Sequence, residues 1–124
     1  MQGKTILALL LILGAFLLAA GTRQDDALDP LKVAGDTHKL ALENKFVRIL
    51  EVHLPPGKVE PAHRHPHGLS VYFTDWDARV TVQGGRPETR HRQAGTFAWS
   101  EPVVHTVENA GKTEGHILRI ELKL

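Results

Sequence analysis

Three of the eight histidines in the sequence fall within residues 63–67. Side chains alternate between the two faces of a β-strand, so His63 and His65 would direct two imidazoles toward the same side of a sheet. Imidazole nitrogen is the most common metal ligand in proteins. A site needs further ligands from elsewhere in the chain, and His105, in the segment 102–109, is the natural candidate. The spacing therefore makes His63, His65 and His105 candidates for a metal site.

The composition limits which ligands and partners are available. The 124-residue chain contains no cysteine, which excludes a disulfide framework, a thiolate nucleophile and cysteine-ligated zinc. Any metal would therefore be held by histidine nitrogen or carboxylate oxygen. Lys and Arg total 15 against 14 Asp and Glu, and the basic residues are scattered, which argues against nucleic acid as a partner. The length allows one domain.

Residues 1–21 have the composition of a secretory signal peptide. Lys4 supplies a positive charge, residues 6–18 are apolar apart from one glycine, and small residues follow at 19–21. A retained membrane anchor is the alternative, since the apolar run approaches the ~17 residues that can cross a thinned bilayer. No cysteine follows the run, which excludes a lipoprotein anchor. Either interpretation predicts an extracytoplasmic protein, periplasmic or secreted, that contacts a membrane only if this segment is not cleaved.

The rest of the chain is predicted to be a linker followed by an all-β domain. Residues 22–36 are polar and are interpreted as the linker. Residues 37–124 contain turn signals at close intervals, and no stretch repeats apolar residues at helical spacing over two turns. In the last strand, Leu118, Ile120 and Leu122 alternate with charged residues. About nine short strands predict a small barrel or sandwich whose mouth can hold one small ligand.

Two groups of residues resemble the conserved boxes of the cupin superfamily: Gly57, His63, His65 and Gly84 or Gly85 for the first, and Gly95, Pro102, His105 and Asn109 for the second. The resemblance extends over nearly all of residues 40–124. It implies a small single-domain cupin, which is a double-stranded β-helix or jelly-roll-like barrel. It also implies a metal between the sheets, bound by His63, His65 and His105.

The sequence departs from the cupin pattern at one ligand position. In the family a glutamate follows the second histidine after three or four intervening residues, where this chain has Leu69 and Ser70. Without that carboxylate, three neutral imidazoles leave a divalent ion with its full charge and with positions open for water, an anionic ligand or oxygen. Such a site suits a divalent transition metal (Fe, Zn, Mn, Cu or Ni) and disfavours calcium and magnesium. The metal should leave as the pH falls below about 6, because imidazole must be neutral to bind.

Further residues are candidates for the surroundings of the site. His67 would be an extra ligand if the strand continues, or would lie at the rim, because a proline precedes it and a glycine follows. Tyr72, Phe97 and Trp99 are pocket candidates, although aromatic residues of this kind are more often core. The remaining histidines are interpreted as ordinary strand or turn residues, namely His38, His53, His91 and His116.

The residues are compatible with three functions. The first is an exported small cupin that binds a divalent metal and acts as a dioxygenase-like oxidoreductase on a small organic substrate. The second is a non-catalytic cupin module that uses the same pocket for a small-molecule ligand or a metal; in one version the barrel is metal-free. The third is a structural partner that pairs through exposed β-edges, for example as a homodimer. The sequence assigns no catalytic residue, because it offers neither a nucleophile–base pair nor a general acid in place of the missing glutamate.

Overall fold

The computed structural model describes residues 26–124, which form two antiparallel β-sheets with the core between them. The signal peptide or anchor predicted for residues 1–21 lies outside this range. The elements in chain order are α1 (Pro30–Val33), β1 (His38–Glu43), β2 (Val47–Leu54), β3 (Val59–His65), β4 (Gly68–Tyr72), β5 (Trp76–Val82), β6 (Glu88–Arg92), β7 (Phe97–Ser100), β8 (Val103–Asn109) and β9 (Gly115–Leu122). Between residues 26 and 124, no helix is long and apolar enough to span a membrane.

The order of the strands explains how distant segments meet. One sheet has the order β1-β2-β9-β4-β7 and the other β3-β8-β5-β6. Neighbours such as β2 with β9, and β3 with β8, are far apart in sequence, so most of the contacts that hold the sheets together are long-range. The predicted all-β fold is confirmed.

The hydrophobic core is built from inward-facing residues of both sheets. In β2 the buried positions alternate with partly exposed ones, which places Leu50, Val52 and Leu54 on the inner face. Trp76 and Val80 of the opposite sheet belong to the same interior. Because the two inner faces supply one shared core, each sheet holds the other at a fixed separation.

Strand β9 buries its charged face and leaves its apolar face on the outside. Arg119 and Glu121 are 4% and 3% exposed, whereas Leu118, Ile120 and Leu122 are only partly buried. The periodicity of this strand was evident in the sequence. The charged side chains face inward because they form hydrogen bonds inside the barrel that apolar side chains cannot form.

Residues 26–36 are packed against the barrel, contrary to the linker predicted for residues 22–36. Asp29 caps α1, and its carboxylate also accepts a hydrogen bond from Arg48 Nη1 at 2.7 Å. Ala34 is completely buried. The composition did not reveal this, because the segment is held by specific polar contacts with the barrel rather than by a long apolar face of its own. The folded unit therefore begins before residue 37.

Candidate metal centre

Strands β3 and β8 bring together the three histidines that the sequence singled out. His63 and His65 lie on the same face of β3, and the antiparallel register pairs His63 directly with His105 on β8. The Nε2 atoms of His63 and His105 are 3.1 Å apart. The ring of His65 lies 4.9 Å from that of His63 and 5.4 Å from that of His105, measured between centroids. The alternation of one strand and the pairing of two strands are therefore enough to assemble this group.

A fourth imidazole reaches the group from the opposite sheet. His38, the first residue of β1, has its ring centroid 5.1 Å from that of His63 and 5.7 Å from that of His65. One ligand nitrogen of each of these three residues lies within 4.8 Å of the others, and all three side chains are buried. The interpretation of His38 as an ordinary residue distant from the motifs is therefore wrong. No hydrophobic pattern in β1 marked its position, because Leu40 and Leu42 are 49% and 46% exposed.

The same ring nitrogen, Nδ1, is occupied in three of the four imidazoles. Its partners lie at hydrogen-bond distance: Glu60 Oε2 for His38 at 2.8 Å, the carbonyl oxygen of Pro61 for His63 at 2.8 Å, and Glu121 Oε1 for His65 at 2.7 Å. A neutral imidazole that donates from Nδ1 has its lone pair on Nε2. Acceptors of this kind fix the tautomer and the ring orientation of metal-binding histidines. The three rings are thus held in the form that can ligate through Nε2.

Among the described residues, no carboxylate takes the place of the missing motif glutamate as a direct ligand. Two buried carboxylates lie behind the rings instead. Glu60 is 3% exposed; burial opposes its ionisation, yet the hydrogen bond from His38 holds the pKa of Glu60 below its usual value. Glu121 accepts a second hydrogen bond from Arg48 Nε at 2.8 Å. The two carboxylates therefore contribute negative charge behind the ligating rings and do not contact the position where a metal would lie.

Burial keeps His63, His65 and His105 neutral. It lowers the pKa of His63, and it lowers that of His65 well below the usual range, with nearby positive groups adding to the effect on His65. The pKa of His105 is lowered to about 3 by burial and by the adjacent His63 and His65. Neutral imidazole is the form that binds metals. At neutral pH these three imidazoles are therefore ready to ligate without first releasing protons.

The geometry fits a transition-metal ion. If His63 donates from Nδ1, its Nε2 presents a lone pair to the Nε2 of His105, and a cation beside both nitrogens would satisfy them together. Ligands bound at about 2.0–2.1 Å to a tetrahedral metal lie about 3.3 Å apart. The observed 3.1 Å between these nitrogens is close to that spacing. The buried histidine group therefore has the donor type and the spacing of a metal centre.

A cavity of about 330 Å³ adjoins the histidines. Its walls are mainly apolar, and Tyr72 and Trp99 contribute to them. Phe97 does not line the cavity, since the alternation of β7 turns it outward and leaves it 74% exposed. His67 lies outside the histidine group and contacts Glu101 Oε2 at 2.9 Å, so it is a rim residue and not a ligand of this group.

Comparisons with solved structures identify the fold. A cupin domain from Bordetella pertussis Tohama I is 27% identical, with a TM-score of 0.65 over 70% of this chain and 92% of that chain. A protein with a double-stranded β-helix domain from Klebsiella pneumoniae is 24% identical, with a TM-score of 0.55 over 68% of this chain and 74% of that one. An RmlC-like cupin from Methanocaldococcus jannaschii is 14% identical, with a TM-score of 0.58 over 68% and 77%. No protein-family model and no curated protein matches the sequence. The chain folds as a small cupin domain, which confirms the resemblance found in the sequence.

Proposed function

We propose that this protein is an exported cupin that binds a divalent transition metal and acts as a dioxygenase-like oxidoreductase on a small organic substrate. The observation that supports it is a cluster of imidazoles beside a largely apolar cavity: one ligand nitrogen of each of His38, His63 and His65 lies within 4.8 Å of the others, and His105 Nε2 lies 3.1 Å from His63 Nε2. A dioxygenase transfers both atoms of oxygen to its substrate, so the reaction needs no external reductant. The proposal therefore requires only a metal, oxygen and a substrate that fits the cavity.

The residues of the site have distinct roles in this proposal. His38, His63, His65 and His105 would hold the ion, which would supply Lewis-acid chemistry toward oxygen and the substrate. Glu60 and Glu121 are positioning residues, because each holds one imidazole in the ligating tautomer. The apolar walls would keep water away from the reacting groups.

The cavity suggests the kind of substrate. Most of its lining is apolar, with Ser70, Ser100 and the guanidinium of Arg119 as polar groups on one wall. Arg119 Nη1 donates to Ser100 Oγ at 2.7 Å, which fixes that wall. A volume of about 330 Å³ suits a small molecule of up to three rings. A substrate with an apolar body and oxygen atoms at one end, such as a diketone or a flavonol, would fit this lining.

A non-catalytic binding module is the second candidate, and one observation favours it. Among the cavity-lining residues that the structure describes, both carboxylates have partners: Glu60 is bonded to His38, and Glu101 is bonded to His67 and Trp99. Glu121, beside the site, is bonded to His65 and Arg48. No carboxylate of residues 26–124 is therefore free beside the cavity to act as a general base.

Metal analysis and oxygen consumption test the proposal. Protein prepared without a histidine tag should contain close to one transition-metal ion per chain at this site, and His63→Gln should lose it. His91→Gln is a matched control, since His91 is exposed and pairs with Asp77 on a different strand. Oxygen uptake with a diketone or flavonol, absent in His63→Gln, supports the oxygenase. Ligand binding without oxygen uptake supports the module, and absence of metal from the wild-type protein refutes the metal site.

Export is tested separately at the N-terminus. The proposal expects the mature protein to begin near residue 22, because small residues at 19–21 suit signal peptidase. N-terminal sequencing of protein recovered from the periplasm or medium measures this directly. Full-length protein in the membrane fraction would instead support the anchor, and full-length protein in the cytosol would refute export.

A further inference from the structure

A second group of metal-ligating side chains lies on the outer surface of the first sheet. His53 on β2 is the direct cross-strand partner of His116 on β9, and Glu51 lies two residues before His53 on the same face. Glu51 Oε1 is 3.3 Å from His53 Nε2 and 3.0 Å from His116 Nε2. One ligand atom from each residue lies within 4.8 Å of the other two. Two imidazoles and a carboxylate therefore meet at one point.

The backbone fixes this arrangement. Strands β2 and β9 pair without a register shift from Val47 to Leu54, so His53 and His116 face each other across an unbroken ladder. Their rings stack, with centroids 4.2 Å apart and planes inclined by 19°. The ring of Phe73 lies 4.8 Å from that of His116 and limits its movement. The pair is thus held by an unbroken ladder rather than by a mobile loop.

We propose that Glu51, His53 and His116 form a second metal site, which binds Zn²⁺ or a similar late transition-metal ion on the outside of the barrel. The separations of 3.0 and 3.3 Å between the carboxylate oxygen and the two nitrogens are close to the spacing of about 3.3 Å for ligands of a tetrahedral zinc ion. Two imidazoles and one carboxylate are a common ligand set for zinc, whereas calcium and magnesium prefer oxygen alone. Solvent would complete the coordination.

The environment of His53 favours a bound cation. Its two ring nitrogens both face carboxylates: Nε2 faces Glu51, and Nδ1 lies 3.7 Å from Glu114 Oε2. A neutral imidazole has one N–H, so one of its nitrogens presents a lone pair to an anion unless a proton or a metal ion occupies that nitrogen. At 3.7 Å Glu114 is too distant for a hydrogen bond to the ring, so it adds negative charge beside the site without fixing the orientation of His53.

The outer site is separate from the cupin centre. The side chains of His53, Glu51 and His116 are 46%, 44% and 30% exposed, whereas His38, His63 and His65 are buried between the sheets. Because the two imidazoles stack, one side chain must rotate slightly before both Nε2 lone pairs can point at one ion. His53, nearly half exposed, has the freedom to rotate. The outer site should therefore bind more weakly than the buried one.

Zinc titration of the full-length or naturally processed chain, prepared without a tag and stripped of metal, tests the proposal. Calorimetry should resolve two equivalents of Zn²⁺ in the wild-type protein. His116→Gln and Glu51→Gln should each weaken the second equivalent at least about tenfold, as expected for a lost ligand. The exposed pair of His91 and Asp77 is the matched control, since it has the same chemistry with no third ligand, and His91→Gln should bind two equivalents.

Variants of the buried centre separate this proposal from the proposed function. His63→Gln should lose one equivalent and keep the outer one; if the buried centre binds nothing, the wild-type protein still binds one equivalent that His116→Gln loses. Line broadening by Co²⁺ in NMR spectra of His63→Gln should fall on the rings of His53 and His116. Retention of all bound zinc in a folded His116→Gln or His53→Gln protein would overturn the proposal, as would Co²⁺ broadening confined to other histidines.

Discussion

Glu121 offers a sharp test of how the second layer of side chains supports the centre. Its carboxylate accepts from His65 Nδ1 at 2.7 Å through one oxygen and from Arg48 Nε at 2.8 Å through the other. Glu121→Gln keeps the shape of the side chain but leaves it one acceptor oxygen and one NH₂ group. The NH₂ group must then face either His65 or Arg48, both of which are donors here.

The expected loss of stability in Glu121→Gln follows from the hydrogen bond that is lost. A hydrogen bond to a charged group contributes about 1.5–3 kcal/mol, and Arg48 keeps its contact with Asp29, so the metal-free variant should be about 2 kcal/mol less stable. Metal affinity should fall further, because loss of the residue that orients a ligating histidine costs about 10–100-fold in binding. That range corresponds to about 1.4–2.7 kcal/mol. The metal-loaded variant should therefore lose more stability than the metal-free one.

Urea unfolding with and without bound metal, together with competition against a chelator, measures both quantities. Glu101→Gln is the control, since Glu101 is mostly exposed and contacts the rim residue His67; it should change stability by less than about 0.5 kcal/mol and leave metal affinity unchanged. Unchanged metal affinity in Glu121→Gln would refute the argument that Glu121 orients His65 as a ligand.

Three further predictions concern other parts of the structure. His38→Gln should lower metal affinity at least about tenfold, since it removes a buried imidazole, whereas His67→Gln should not change it; chelator competition compares them. Metal-free protein should lose about 2 kcal/mol of stability between pH 7 and pH 5 through His105 alone, because the unfolded chain takes up a proton below about pH 6.5 that the folded ring accepts only near pH 3. Urea unfolding at both pH values should show a smaller loss of stability in His105→Gln. The lowered pKa values should also let the metal stay bound below the pH of about 6 expected for ordinary imidazoles. Asn109→Ala should cost about 2–3 kcal/mol in thermal unfolding without changing metal stoichiometry, because this fully buried amide donates to two carbonyl oxygens, at 2.8 and 2.7 Å, and accepts from a backbone N–H at 3.0 Å.

Local rules predicted the fold and part of the site. Alternation along a single strand was enough to place His63 and His65 on one face, and turn signals at close intervals predicted about nine short strands, as the described residues have. The motif spacing suggested that His105 joins them, and the register of β3 with β8 explains how it does so. Gly57 and Gly95, recognised as motif glycines, adopt positive φ values of 77° and 79°, which glycine tolerates without strain.

The parts that the sequence did not predict depend on which strands become neighbours. His38 belongs to no motif and reaches the centre because β1 lies in the sheet facing β3. Glu60 and Glu121 could not be paired with their histidines, since spacing along the chain does not say which residues meet across a barrel. The direction in which β9 faces was also undetermined, because an alternating strand has two faces and charge normally marks the outer one.

The position of His38 has a consequence for how the chain holds together. Strand β1 is at the edge of its sheet and has a strand neighbour on one side, β2. An ion shared by His38 and His63 would act as a removable cross-link between the two sheets, and the loop that it closes restricts the unfolded ensemble. Protease resistance of the N-terminal edge would then report metal loading, since an edge strand without that cross-link opens more readily.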